Sequence, residues 1–176
     1  MRLLLTLLLL VPLIGFGQYW QQQGQDIDGE AAYGGFGRVS INATGDRVAI
    51  GAPENDGNGN NSGHVRIYEW NGTSWIQQGQ DIDGEAADDY SGGSVSMNAT
   101  GDKVAIGATG NDGNGNLSGH ARIYDWDGSS WIQLGQDIDG EAVGDYSGSV
   151  SMNAAGDRVA IGADGNDGNG TYAGHA

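Results

Sequence analysis

The chain contains no cysteine. Disulfides, thiolate metal centres, cysteine nucleophiles and a lipobox are thereby excluded. Basic residues are scarce: seven Lys and Arg stand against 23 Asp and Glu, for a net charge of −16. A nucleic-acid partner needs clustered Lys and Arg against its phosphates, so that class is excluded. No basic run exists to hold an anionic membrane surface. Beyond the first residues nothing keeps an apolar period of about 3.6, which leaves helix without support. A Ser-centred nucleophile elbow and a phosphate loop with its Lys are missing too. The one enzymatic route left is a carboxylate pair. Carboxylates that recur in every repeat offer no single asymmetric place for a reaction, so an enzyme is not expected.

Glycine, by contrast, is abundant at 34 residues. Alone that would suggest disorder, but Val, Ile, Tyr and Trp return regularly between the glycines, which argues for ordered short strands. Met1-Arg2 gives a short basic start, Leu3 to Ile14 is apolar but for Thr6, and Gly15-Phe16-Gly17 is small-residue rich. This predicts a secretory signal peptide over 1–17, cleaved after Gly17, with a secreted or cell-surface protein and no membrane insertion afterwards.

Three copies of one phrase follow. Trp20, Trp75 and Trp131 each open W-[QI]-Q-[QL]-G-Q-D-I-D-G-E-A, and they stand 55 and 56 residues apart. Gly45-Asp46, Gly101-Asp102 and Gly156-Asp157 each open G-D-[RK]-V-A-I-G-A, and His64, His120 and His175 each follow a glycine. Self-similarity at this period marks stacked supersecondary units. Within one unit, Arg38–Asn42 and Arg47–Ile50 alternate with period two around the short turn Ala43–Asp46. A long loop over 53–63 leads to a strand His64–Trp70. Asn71-Gly72 is a strong hairpin signal, a fourth strand covers Thr73–Gln80, and a second long loop covers Asp81–Gly93.

Four antiparallel strands every 55 or so residues describe a propeller blade, so the expected fold is an all-β propeller. Blade units fall at 38–80, 93–136 and 148–176, the last incomplete, with 19–25 as a closing strand. Two full blades and part of a third imply a fragment of a longer propeller, whose remaining blades would be its first partners. Alternation also puts the two short turns at one face and the two long loops at the other. All but six of the 23 carboxylates then lie in the long loops, the exceptions being Asp46, Glu69, Asp102, Asp125, Asp127 and Asp157. A concentrated negative field attracts a cation or a cationic partner.

Phe36-Gly37 followed by Gly51-Ala52-Pro53 resembles the FG-GAP repeat, the blade unit of integrin-α-type seven-bladed propellers. The fuller phrase V-S-[IM]-N-A-x-G-D-x-V-A-I-G-A, N-D-G-N-G, G-H-[VA]-R-I-Y-[ED]-W is similar to a bacterial secreted variety of it, over Tyr19 to Ala176. The second and third units depart from the pattern, with Tyr-Ser-Gly for Phe-Gly. The resemblance implies extracellular adhesion or recognition, often with calcium. In integrin-type repeats the calcium loop is D-x-D-x-D-G between the first two strands. Here that place holds only N-A-[TA]-G-D, so the family's site does not carry over to Asp46, Asp102 or Asp157.

Calcium is nevertheless the candidate cofactor. Asp56, Asn58 and Asn60, then Asp112, Asn114 and Asn116, then Asp167 and Asn169, place oxygens at alternate positions of glycine-rich loops, as a hard cation requires. Weaker ligand sets are Asp26, Asp28 and Glu30; Asp81, Asp83 and Glu85; and Asp137, Asp139 and Glu141. Each set has a competing reading as turn chemistry, in which Asp and Asn accept backbone N–H groups. The histidines are period-locked and would sit on neighbouring blades, which favours a structural hydrogen bond at the strand start. Trp75 and Trp131 are expected in blade-to-blade packing. The function expected is recognition of an extracellular protein or glycan at the acidic long-loop face. The alternatives are a lectin-like propeller using Tyr33, Tyr90 and Tyr146 on sugar, and a purely structural surface repeat.

Overall fold

A computed structural model describes residues 20–176; the expected signal peptide lies outside the described residues. The first sheet holds β1 (Arg38–Ile41), β2 (Arg47–Ala52), β3 (His64–Trp70), β4 (Trp75–Gln77) and β5 (Ile82–Asp83). The second repeats it as β6 (Ser94–Met97), β7 (Lys103–Ala108), β8 (His120–Trp126), β9 (Trp131–Gln133) and β10 (Ile138–Asp139), and the third is β11 (Ser147–Met152) with β12 (Val159–Ala163). The protein is all-β, its strand pairs are antiparallel, and none of the three sheets closes on itself. No helix among the described residues is long and apolar enough to cross a membrane.

The first three strands of a unit lie where the alternation places them, but the fourth is divided. β4 and β5 both pair with β3, as β9 and β10 both pair with β8. The break falls at Gly79, whose φ of 75° only glycine adopts without strain. The ladder survives through Gln78, which donates its N–H to the Ile67 carbonyl at 2.7 Å. Each unit therefore reaches past Gln80 to Asp83, and that extension brings part of an acidic loop into the sheet. Of the strand expected over 19–25, residues 20–25 are described and form no strand. Their counterparts, Trp75–Gln80, owe their pairing to β3, and no described strand stands beside residues 20–25 to play that part.

The N-A-[TA]-G-D turns are closed by their own side chains. Asn98 accepts the N–H groups of Gly101 and Lys103 on Oδ1, and donates from Nδ2 to Thr100 Oγ1 and Asp102 Oδ1. Asn42 forms the same clamp with Thr44 and Asp46. The Thr100 hydroxyl, then the Asn98 amide, hold the Asp102 carboxyl below its ordinary pKa of 3.8, and Thr44 and Asn42 do the same to Asp46. A carboxyl whose folded pKa is depressed contributes stability that is fully present above the unfolded value and is lost as pH falls through the folded one. Urea midpoints are thus expected to decline below about pH 4. The decline should flatten in the Asp46→Asn/Asp102→Asn double variant, and an unaltered profile there would contradict this account.

The sheets pack face to face, and the core lies between the first and second. Ala49, Val65, Ile67 and Ile82 meet Met97, Val104, Ile106 and Tyr124. The second sheet is covered on both faces, so Val104, Ala105 and Ile106 are all buried although they alternate in direction. Val39 and Ile41, on β1, stay exposed. Strand serines join the units: Ser40 Oγ accepts the Met97 N–H at 2.9 Å, and Ser94 and Ser96 accept those of Val150 and Met152. Trp75 Nε1 donates to the Gln23 carbonyl and Trp131 Nε1 to that of Gln78, both at 3.0 Å, so the repeated tryptophans do link one unit to the next.

Candidate functional site

Both long loops of a unit lie at one end of its sheet and touch each other. Asn58 Nδ2 donates to the Gly84 and Glu85 carbonyls, and Asn114 Nδ2 to those of Gly140 and Glu141. Asn169, the counterpart in the third loop, makes no such bond. Asp56 Oδ1 accepts the Asn61 N–H at 2.8 Å and Asp112 Oδ1 that of Leu117, with Asn60 and Asn116 bonding weakly to the same oxygens at 3.5 Å. Asp167 Oδ1 accepts the Tyr172 N–H. In all three loops, then, an Asp oxygen named as a calcium ligand is engaged in closing its own turn.

The D-I-D-G-E loops do something different. Asp81 Oδ1 accepts the Gln77 side-chain amide at 2.6 Å and Asp137 Oδ1 that of Gln133 at 2.6 Å, while Asp26 is held by Gln22. The second oxygen of Asp81 and of Asp137 is left to face a histidine. His64 Nδ1 stands 3.5 Å from Asp81 Oδ2, and His120 Nδ1 stands 3.7 Å from Asp137 Oδ2. The link that enters each unit supplies a glutamate: Glu85 Oε2 lies 4.0 Å from His120 Nδ1, and Glu30 joins His64 and Asp81 in the equivalent group. Arginines hold these glutamates, Arg66 standing 3.3 Å from Glu30 and Arg122 standing 3.5 Å from the Glu85 oxygen that faces away from His120. Strand register adds a third acid, since β5 places Asp83 opposite His64 and β10 places Asp139 opposite His120.

Both histidines are the first residues of their strands, as expected, yet at His120 the expected structural hydrogen bond is missing. Neither ring nitrogen of His120 has a partner, and His64 Nε2 has none. Burial, the main cause, holds both imidazoles below their ordinary pKa of 6.5, opposed at His64 by Asp81 and reinforced at His120 by Arg122. Burial and then the Asp81 charge push the Asp83 carboxyl up. The histidines do not meet one another; each meets acids of two successive links. The signal for this grouping was in the sequence, where Glu30, His64 and Asp81 are spaced 34 and 17 residues apart and Glu85, His120 and Asp137 are spaced 35 and 17. A single-unit reading passes over it because the glutamate belongs to the link before the unit. Asp28 enters neither group.

A separate concavity of about 500 Å³ draws on all three units, with Arg38 and Glu54 from the first, Tyr90 and Ser94 around the second, and Tyr146 and Asp164 from the third. Tyr90 and Tyr146 occupy equivalent places, and they and Tyr33 have left-handed backbones, with φ of 55°, 51° and 67°. Non-glycine residues held there cost about 1–3 kcal/mol each. Tyr33 does not line the concavity. No protein-family model and no curated protein matches the chain, so the FG-GAP resemblance rests on the motifs of the sequence.

Proposed function

We propose that this chain is a secreted or cell-surface recognition module of FG-GAP-like β-propeller blades, which binds its partner at the long-loop face. Three sheets stacked at a constant period, with the first strands β1, β6 and β11 brought together, support a blade arrangement. The observation that carries the recognition reading is the concavity shared by three successive units. The partner is an extracellular protein or a glycan. A glycan is favoured by the pairing of two tyrosine rings, which stack on sugar, with Arg38, Glu54 and Asp164, which hydrogen-bond hydroxyls.

Binding is measured on a glycan array and followed by calorimetry with the best ligand. Tyr90→Ala and Tyr146→Ala are each expected to weaken that ligand about tenfold, or about 1.4 kcal/mol, with the melting temperature little changed. Silence across neutral and acidic sugars would rule out the glycan and leave a protein partner. Full affinity in the double variant would remove this concavity from the account.

A further inference from the structure

The buried histidines are the least explained polar groups in the molecule. His120 is 1% exposed, and its Nδ1 has no hydrogen-bond partner. Three carboxylate oxygens nevertheless surround that atom: Asp137 Oδ2 at 3.7 Å, Glu85 Oε2 at 4.0 Å and Asp139 Oδ1 at 4.0 Å. These separations are too long for an N–H···O bond, whose limit is about 3.2 Å. They are close to those of atoms that share a small cation. Two ligands bound at about 2.1 Å to one tetrahedral ion stand about 3.4 Å apart, a few tenths of an ångström inside what is seen. We propose that each of the first two units binds one first-row transition ion of the zinc class where its two flanking links meet, held by His120, Glu85 and Asp137 in the second unit and by His64, Glu30 and Asp81 in the first.

The ligand chemistry selects the ion. An imidazole nitrogen beside two or three carboxylates suits zinc and its neighbours, whereas calcium takes six to eight oxygens. The site therefore differs in kind from the calcium loops expected from the sequence. Three carboxylates stand around His120 and the Arg122 guanidinium pairs with one of them, Glu85, so the group is acidic and suits a cation. Outer contacts already set the ligands, with Gln133 on the far oxygen of Asp137 and Arg122 on that of Glu85, as metal sites require.

Position gives the ion a task. Glu85 belongs to the link entering the second unit, His120 opens β8, and Asp137 belongs to the link that leaves it. One ion would tie these three segments together and fix the stacking of neighbouring sheets. The third histidine offers a built-in contrast. His175 is 39% exposed, stands 3.9 Å from Glu141 Oε2, and belongs to neither three-residue group. The inference does not depend on the recognition reading, since the metal groups share no residue with the concavity.

The test uses the purified chain, stripped with chelator and titrated with Zn²⁺ by calorimetry and with Co²⁺ by visible absorption. Two equivalents are expected. His120→Gln and His64→Gln should each remove one, and His175→Gln none. Glu85→Gln and Asp137→Asn should weaken the second site at least tenfold. Zinc should raise the melting temperature, and calcium at equal concentration should neither raise it nor displace cobalt. No zinc binding to the unsubstituted chain would overturn the proposal, whatever the variants do. So would two equivalents retained by the His64→Gln/His120→Gln double variant, or displacement of cobalt by calcium. If a histidine variant loses its β-sheet circular dichroism, Asp137→Asn decides the site it shares with His120, and Glu30→Gln the other.

Discussion

Ile106→Ala is expected to destabilise the protein by about 2–5 kcal/mol, the range for truncating a large aliphatic residue in a packed core. Ile106 is 1% exposed on the one sheet with neighbours on both faces. Deleting its outer carbons forfeits their burial and leaves a hollow that the flanking sheets, each hydrogen-bonded to the second sheet through Ser40 or through Ser94 and Ser96, cannot close by moving. The repeat provides its own calibration. Ile50 occupies the same place in the first unit at 6% exposure, and Ile161 is only half-buried in the third. The cost should fall in the order Ile106, Ile50, Ile161. For a chain of this size each kcal/mol is worth about 2–4 °C, so Ile106→Ala should lower the melting temperature on the order of 10 °C. Equal losses at the three positions in urea titrations would show that the second sheet is not enclosed as described.

A second large effect is expected at Gly107, where Gly107→Ala should cost at least about 1–3 kcal/mol, as overpacking does. A Cβ there would run into the Gly148 carbonyl, and at the equivalent Gly51 into the Gly92 carbonyl. Both obstacles are backbone of the adjoining unit and have no rotamer to turn away. At Gly162, the third copy, the nearest atom would be the Ser149 Cβ at 3.4 Å, an ordinary contact. Gly162→Ala should therefore be nearly neutral, as should Gly34→Ala, whose nearest atom lies at 3.6 Å. The glycine of G-A is thus required by the stacking of units and not by the strand it sits in. A Gly107→Ala variant as stable as Gly162→Ala would refute the close approach of β7 to the third sheet.

The expected strand His64–Trp70 coincides with β3, and the turn at Asn98–Asp102 follows from Asn, Gly and Asp at fixed offsets, because both are short-range matters of alternation and side-chain-to-backbone bonding. The break between β4 and β5 depends on one glycine inside a run that otherwise alternates, and alternation alone does not show it. Residues 20–25 repeat the wording of a strand without being one, since a strand needs a partner and not only a pattern. The acids of D-I-D-G-E were legible as candidates, and the constant spacing to a histidine stood in the sequence, but only the fold shows that acids of two successive links meet at one imidazole.

By itself the sequence determined the all-β class, the repeat of about 55 residues, the short clamped turns and the gathering of acids into the long loops. These are properties of one unit, set by contacts a few residues apart. Only the tertiary structure decided which faces are covered, which glycines have no room for a side chain, and which carboxylates meet a buried imidazole. Those properties arise between units. Three nearly identical phrases acquire different environments once they are stacked, since one sheet has neighbours on both faces and the other two on one.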